Sequence, residues 1–167
     1  MGMTYDLKSL CFTGHRILAE EPKALFNRLC NILEDIIKNR GITVFYDGGA
    51  VGFDTVAAKA VLHLRDDLHY NINLCLILPC SNDEQTRDWS ASEKFEFKNI
   101  LGRADTVEYT SKDYHPSCMK IRNKALVDHA TDICLCYLEE GHKSGTSQTV
   151  NFAKEKGLEI INIYKKG

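Results

Sequence analysis

The chain has 167 residues, of which 44% are hydrophobic and 26% are charged, and its formal net charge is -2. A chain of this size can bury a core without disulfides, so we expect residues 1–167 to form a single domain. The sequence pI of about 6.3 gives no general basic surface. This charge balance argues against nucleic acid as a partner bound without regard to sequence.

The cysteines favour a reducing compartment. There are seven, an odd number, without a CxxC pair or a metal-like cluster. Several lie inside apolar, strand-like runs, where a free thiol behaves as a small hydrophobic side chain; these are Cys11, Cys75, Cys134 and Cys136. The chain also lacks a signal-peptide core and any apolar run of membrane-spanning length. We therefore expect a soluble, cytoplasmic protein without a metal site and without a membrane partner.

Strand-like and helix-like patterns alternate along the chain. Strands are predicted at residues 7–12, 42–46, 74–78, 106–109, 133–138 and 160–164. Helices are predicted at residues 22–41, 54–64, 89–103, 119–130 and 147–156, with a polar loop at 81–90. Continuous apolarity in the strands marks a sheet covered on both sides. The alternation predicts an α/β fold with a parallel sheet and helices on both faces.

A glycine-rich stretch joins the second predicted strand to the second helix. It contains Gly48, Gly49, Ala50 and Gly52, and the helix opens at Asp54. Glycine permits positive φ and close approach of a ligand to the backbone, and a helix start offers free N–H groups to phosphate. Asp54 could accept hydrogen bonds from ribose hydroxyls. The alternative is a tight turn with Asp54 as an ordinary helix N-cap; the density of glycine favours the binding loop.

Polar segments also follow the first and fifth predicted strands. They are Thr13, Gly14, His15 and Arg16 after the first, and Ser144, Gly145 and Thr146 after the fifth. Because the carboxyl ends of parallel strands share one edge, we expect these segments and the glycine-rich loop to converge on a ligand. Ser144 to Thr146 would bind an anion, or would simply cap the following helix.

Two arginines and a histidine are further candidates in this region. Arg16 and Arg122 would each hold a phosphate with two parallel hydrogen bonds, and the alternative for both is an arginine exposed to solvent. His15 would donate to phosphate or transfer a proton, although a lone histidine in a turn is more often structural. The chain lacks GxGxxG, P-loop, GxSxG and HExxH motifs, which argues against common dehydrogenases, NTPases, hydrolases and metalloenzymes.

Taken together, these motifs resemble the SLOG superfamily, named for the DprA/SMF and LOG proteins, and are most similar to its YpsA-like branch. The resemblance is carried by Thr13-Gly14-His15-Arg16, Gly48-Gly49-Ala50-Val51-Gly52-Phe53-Asp54, Arg122-Asn123 and Ser144-Gly145-Thr146. It implies a Rossmann-like three-layer α/β/α fold with a mostly parallel sheet. It also implies that these segments bind a nucleotide or a nucleotide-derived phosphate ligand, such as ADP-ribose. For the YpsA-like branch it implies no particular enzymatic activity.

The LOG branch offers an alternative function, because it cleaves nucleoside 5′-monophosphates to free base and ribose phosphate. Its MxxRK stretch is matched by residues 119–123 except for the final lysine, which would make Arg122 the catalytic arginine. Its PGGxGTxxE stretch keeps Gly145 and Thr146, but Thr149 stands where the glutamate should be. Threonine cannot act as a carboxylate base or stabilise a developing positive charge. This argues against the LOG reaction unless another carboxylate, such as Asp54, takes part.

Similarity to the DprA branch would imply binding of single-stranded DNA. The acidic charge balance and the few aromatic residues near the loops argue against that function. The favoured hypothesis is therefore a module that binds or senses a nucleotide-like small molecule. The sequence leaves a homo-oligomer open, because nothing in it indicates an unused apolar helix face.

Overall fold

The computed structural model describes residues 7–167; the first six residues, which the single-domain prediction includes, lie outside the described part. Strands and helices alternate in the order β1 (Lys8–Gly14), α1 (Pro22–Arg40), β2 (Ile42–Asp47), α2 (Phe53–Asp66), β3 (Asn73–Leu78), α3 (Asn82–Gln85), α4 (Ala91–Arg103), β4 (Thr106–Tyr109), α5 (Cys118–His129), β5 (Ile133–Tyr137), α6 (Gly145–Lys156) and β6 (Glu159–Asn162). None of the helices between residues 7 and 167 combines the length and apolar character needed to cross a bilayer.

The six strands form one sheet in the order β4-β3-β2-β1-β5-β6, and every neighbouring pair is parallel. The chain first builds outward from β1 through β2 and β3 to β4, and then returns to place β5 on the other side of β1. Cys11 of β1 consequently lies opposite both Tyr46 of β2 and Cys134 of β5. Since the direction of winding changes between β1 and β5, the crevice for a ligand is expected at their carboxyl ends.

Helices cover both faces of the sheet. On one face α1, α2 and α4 pack over an apolar core that includes Leu10, Phe12 and Phe45. On the other face α5 and α6 pack over a smaller core that contains Cys11 and Cys134. The predicted Rossmann-like α/β/α fold is therefore confirmed. All seven cysteines are free thiols, and those of β1 and β5 fill positions where a small side chain lets the helices approach the sheet.

Several element boundaries differ from the sequence prediction for identifiable reasons. β1 continues through Gly14 because Gly14 still pairs with Tyr137 of β5. Helix α6 begins at Gly145, two residues earlier than predicted, because Ser144 caps it. Helix α4 begins at Ala91, after Ser90 and Glu93 form a capping box. The segment predicted as a loop contains the single helical turn of α3.

Candidate functional site

A polar cavity of about 270 Å³ lies at the carboxyl edge of the sheet, where the winding changes direction between β1 and β5. It is bounded by the turn after β1, the loop after β2, one side of α5 and the first turn of α6. The residues that line it are Thr13, Gly14, His15, Arg16, Ala50, Asp54, Met119, Arg122, Asn123, Leu126, Ser144, Gly145 and Thr146. The three segments predicted to converge therefore do so.

Of the predicted ligand-binding residues, only Gly48, Gly49 and Gly52 do not line the cavity. Two lining residues were not among the predicted ligand contacts. These are Met119 and Leu126, which both lie on α5. Their helical spacing predicts burial, but it does not distinguish a side chain in the core from one at the wall of a cavity.

Two of these three glycines are required by close packing. Gly52 has a φ of 81°, and a Cβ atom there would lie 2.2 Å from the carbonyl oxygen of Arg16. The adjacent Phe53 N–H donates to the carbonyl of His15 at 3.1 Å, which joins the two loops. Gly49 has a φ of 70°, and its Cβ would lie 2.5 Å from the side chain of Leu78. Their lack of side chains thus serves the packing of the loop.

Two buried carboxyl groups accept hydrogen bonds from backbone N–H groups of the same loop. Asp47 Oδ1 accepts from Gly49 N–H at 2.8 Å, and Asp54 Oδ2 accepts from Ala50 N–H at 3.2 Å. The second oxygen of each carboxyl, Asp47 Oδ2 and Asp54 Oδ1, is buried and has no hydrogen-bond partner within residues 7–167. Asp54 is the second residue of α2 and does not cap it, since the cap position is Gly52. The N–H groups of Gly49 and Ala50 are therefore already bonded to carboxyl groups and are not free to bind a phosphate.

Burial shifts the ionisation of both carboxyl groups. It raises the pKa of Asp54 from 3.8 to about 6, although the Arg122 guanidinium and the Ala50 N–H act in the opposite direction. Burial and the neighbouring Asp54 charge together raise the pKa of Asp47 well above its ordinary value. Of the two carboxyl groups, Asp54 lines the cavity, and its pKa of about 6 leaves it mostly ionised near neutral pH.

Arg122 lies buried between the loop and α5. Its Nη1 donates to the carbonyl oxygen of Gly48, and its Nε donates to Asn123 Oδ1 at 3.0 Å. Burial lowers the pKa of Arg122, while the charge of Asp54 raises it. A guanidinium nevertheless stays protonated in proteins. Arg122 is thus a fixed positive charge that balances Asp54, and it is not the solvent-exposed arginine that the sequence allowed as an alternative.

Arg16 and His15 differ in how firmly they are held. Arg16 is exposed at the edge of the cavity, and its side chain has no hydrogen bond or ion pair among the described residues. His15 Nε2 accepts from the N–H of Glu139 at 2.9 Å, so the neutral ring carries its proton on Nδ1. Burial lowers the pKa of His15, which favours that neutral form. Arg16 is therefore an exposed and unpaired positive charge among the described residues, whereas a hydrogen bond holds the neutral ring of His15 in place.

The first turn of α6 presents free donors to the cavity. The Ser144 hydroxyl accepts from Ser147 N–H at 3.1 Å, and the Ser147 hydroxyl accepts from Ser144 N–H at 2.8 Å. The N–H groups of Gly145 and Thr146 have no acceptor within residues 7–167. These two donors, together with the positive end of the helix dipole, suit an anion.

The remaining predicted positions link α5 to α6. Asn123 Nδ2 donates to Gln148 Oε1 at 3.2 Å, and it also lies 3.4 Å from the carbonyl oxygen of Gly145. Thr149, at the position of the LOG glutamate, is buried and donates its hydroxyl to that same carbonyl at 3.0 Å. Thr149 therefore stabilises the first turn of α6 and does not line the cavity.

A parallel α/β sheet with a polar cavity at its change of winding is the arrangement of Rossmann-like ligand-binding domains. The sequence profile of the YspA SLOG family, YpsA, matches residues 19–165. The chain therefore belongs to this SLOG family, as the motifs predicted. The matched stretch begins after the turn that holds Thr13 to Arg16.

Two further proteins show similarity. The uncharacterized SPbeta prophage-derived protein YoqJ of Bacillus subtilis (strain 168) is 32% identical over 146 residues, which cover 80% of this chain and 82% of that protein. Among solved structures, the muconate lactonizing enzyme from Mucobacterium Smegmatis is similar over 92% of this chain but only 45% of its own, with 16% identity and a TM-score of 0.36. A TM-score this low supports no statement about fold or function.

Proposed function

We propose that the cavity binds a nucleotide or a nucleotide-derived phosphate ligand such as ADP-ribose. In this arrangement a ribose hydroxyl donates to the carboxylate of Asp54, and phosphate oxygens accept from the N–H groups of Gly145 and Thr146. The observation that carries the proposal is the unpartnered oxygen of Asp54, on a residue that lines the same cavity as those free donors. Buried polar atoms in proteins normally have partners, so an orphan beside a cavity favours a ligand contact.

The charges around the cavity also favour a phosphate. Asp54 and Arg122 carry opposite charges, and the raised pKa of Asp47, caused by burial and the neighbouring Asp54 charge, disfavours a second negative charge there. Arg16 then remains as an uncompensated positive charge, and the dipole of α6 adds to it. A single anionic phosphate is therefore attracted to the α6 side of the cavity, while the carboxylate of Asp54 directs it away from the loop after β2.

Isothermal titration calorimetry with ADP-ribose and AMP tests this proposal. We expect binding by the wild-type protein and a loss of about tenfold or more in Asp54→Asn, because the charge-assisted hydrogen bond to ribose is removed. Asp128→Asn, an exposed substitution of the same type on α5, is the control and should leave affinity unchanged. No binding of either nucleotide, or equal affinity in Asp54→Asn, would reject the site.

The second candidate function is hydrolysis of the N-glycosidic bond of nucleoside 5′-monophosphates. It is favoured by the raised pKa of Asp54, about 6, which suits a general base near neutral pH. Asp54 would take a proton from water as the water oxygen bonds to ribose C1′ and the C1′–N bond breaks. That proton would then pass from Asp54 to the departing base nitrogen, which restores the carboxylate and releases the neutral base. Chromatography of incubated AMP and GMP tests this: steady release of free base, lost in both Asp54→Asn and Arg122→Lys, would establish the enzyme.

We also propose a cytoplasmic location for this protein. All seven cysteines are free thiols, and all except Cys30 are buried. Free thiols in such number persist in a reducing compartment and tend to oxidise elsewhere.

A further inference from the structure

A second cavity opens beside the one described above, on the side of α5 that faces α3. Its volume is about 520 Å³, and it shares Arg16 and Met119 with the first cavity. The first cavity, about 270 Å³, falls below the roughly 300 to 1,000 Å³ of typical small-molecule sites. A nucleotide with its sugar and phosphate in the first cavity therefore needs more room, and the second cavity adjoins it directly.

Two aromatic side chains, Trp89 and Tyr114, are among the residues that line the second cavity. Trp89 is half-buried and is held edge-on against Phe97, with 5.4 Å between ring centroids. Tyr114 lies on the same cavity with 58% of its surface exposed. Flat aromatic side chains at the wall of a polar cavity are the usual partners of a nucleobase, which stacks on them through its own π-face.

An unused acceptor lies between these rings and the loop after β2. Gln85 lines the second cavity, and its Nε2 donates to the carbonyl of Gly49 at 3.3 Å. Its Oε1 is buried and has no hydrogen-bond partner among residues 7–167. The bond to Gly49 fixes which end of the amide is the donor, so the unpartnered acceptor belongs to a residue that lines the cavity. An exocyclic amino group on a base would satisfy it.

We infer that the second cavity is the base subsite, and that it takes an amino-bearing purine such as adenine against Trp89. This inference rests on the proposed nucleotide function of the first cavity. The orientation of the ligand follows from where its phosphate and its ribose are placed. Phosphate at Gly145 and Thr146 with ribose at Asp54 directs the base away from α6, toward Met119 and the second cavity. A third cavity, lined by Tyr164 and His142, adjoins Ser144 and therefore lies at the phosphate end.

Trp89 provides a local reporter because it is the only tryptophan in the chain. We would titrate AMP, IMP and ribose 5-phosphate into the protein, and follow tryptophan emission and calorimetric heat in parallel. AMP should quench the emission, whereas ribose 5-phosphate should bind without quenching it. IMP, which has a carbonyl in place of the 6-amino group, should bind about tenfold more weakly because Gln85 Oε1 then faces another acceptor.

Two variants separate the base subsite from the sugar and phosphate site. Tyr114→Ala, at an exposed position, should weaken AMP about tenfold through lost stacking and leave ribose 5-phosphate unchanged. Trp89→Phe keeps an aromatic ring against Phe97, so it should retain AMP affinity, measured by calorimetry, within about threefold.

The outcomes distinguish the two proposals. AMP that binds by calorimetry without quenching, with the same affinity in Tyr114→Ala, would overturn the base subsite and leave the nucleotide function standing. IMP that binds as tightly as AMP would overturn the assignment to Gln85. If ADP-ribose, AMP and ribose 5-phosphate all fail to bind, both the base subsite and the proposed function are rejected.

Discussion

The loop after β2 and the first turn of α6 meet at the same cavity. Two backbone N–H groups of the loop have hydrogen-bond acceptors, whereas two of the helix turn have none within residues 7–167. In the loop, the N–H groups of Gly49 and Ala50 are already bonded to Asp47 and Asp54. In the first turn of α6, the N–H groups of Gly145 and Thr146 have no acceptor in the described part of the chain. Both segments contain glycine and begin a helix, so only their hydrogen bonding distinguishes them.

A high density of glycine therefore does not by itself indicate that the N–H groups of a loop are free to bind a phosphate. A phosphate at the loop would have to displace an internal carboxyl from each N–H and then sit beside that carboxyl's charge. At α6 it would satisfy donors that otherwise lack partners. We therefore assign ribose to the loop and phosphate to α6. The three predictions below test this division, beginning with the one that has the largest expected effect.

Gly52→Ala should destabilise the protein strongly. The added Cβ would lie 2.2 Å from the Arg16 carbonyl oxygen, on a backbone whose φ of 81° already disfavours a side chain. We expect a loss of about 4 kcal/mol or more in the free energy of unfolding, because the loop and the turn after β1 cannot separate without breaking the Phe53–His15 hydrogen bond. Urea denaturation, monitored by circular dichroism, measures this loss in the free energy of unfolding.

Substitutions at two other glycines serve as controls, because they distinguish the cost of the steric clash at Gly52 from the cost of its positive φ. A Cβ at Gly157 would meet nothing within 4 Å, but its φ is 89°, so Gly157→Ala should cost only about 1 to 2 kcal/mol. Gly102 lies inside α4 with open space and no positive φ, so Gly102→Ala should stabilise by about 0.5 to 1 kcal/mol. If Gly52→Ala costs no more than Gly157→Ala, the loop is not packed as described, and its glycines become available to a ligand.

The fold and the meeting of the segments could be predicted from sequence because both follow from local pattern and topology. Continuous apolar runs such as residues 74–78 indicate buried parallel strands, and parallel strands bring their carboxyl ends to one edge. The use of each loop could not be predicted, because it depends on contacts between distant residues. Gly52 meets Arg16, and Arg122 reaches the carbonyl of Gly48 across 74 positions of the chain.

Asp47 illustrates the same limit. It ends a strand and reads as an ordinary turn residue, and only the packed structure shows that it is fully buried beside Asp54. The one available signal was its place directly before two glycines, which allows its side chain to reach the N–H of Gly49. Buried carboxyl groups change the charge of a site, and without Asp47 the sequence did not reveal that the N–H group of Gly49 already has a carboxyl partner.

Asp54→Asn should stabilise the protein near neutral pH and not in acid. Burial raises the pKa of Asp54 to about 6 in the folded protein, above its ordinary value of 3.8, so the folded state binds this proton more tightly. Asp54 therefore contributes stability below about pH 4 that is lost as the pH rises through 6. Asparagine keeps the shape and can still accept from Ala50 N–H, and it does not ionise. The variant should gain up to about 3 kcal/mol at pH 7 and almost nothing at pH 4.

Urea titrations of both proteins at pH 4, 5, 6 and 7 measure this difference. Asp128→Asn, exposed and paired with Lys124 on α5, should show a small difference without a step near pH 6. A stability gain in Asp54→Asn that is the same at every pH would mean that Asp54 is ionised throughout this range. The proton exchange that makes it a candidate base would then be excluded.

Ser144→Ala should have the smallest effect on stability and the most specific effect on binding. The hydroxyl of Ser144 caps α6 by accepting from Ser147 N–H at 3.1 Å, and Ser90 caps α4 in the same way by accepting from Glu93 N–H at 3.1 Å. Removing either cap should cost about 1 kcal/mol. Only Ser144 lies at the cavity, where the cap fixes the direction of the Gly145 and Thr146 donors.

We therefore expect Ser144→Ala to weaken AMP and ribose 5-phosphate to the same extent, by about threefold to tenfold, because both ligands would use the phosphate donors. Ser90→Ala should leave both affinities unchanged while losing the same stability, which removes general destabilisation as an explanation. Equal affinities in the two variants would show that the first turn of α6 does not hold the phosphate. The phosphate would then have to depend on Arg16, the one cation at the cavity edge whose side chain is unpaired within residues 7–167.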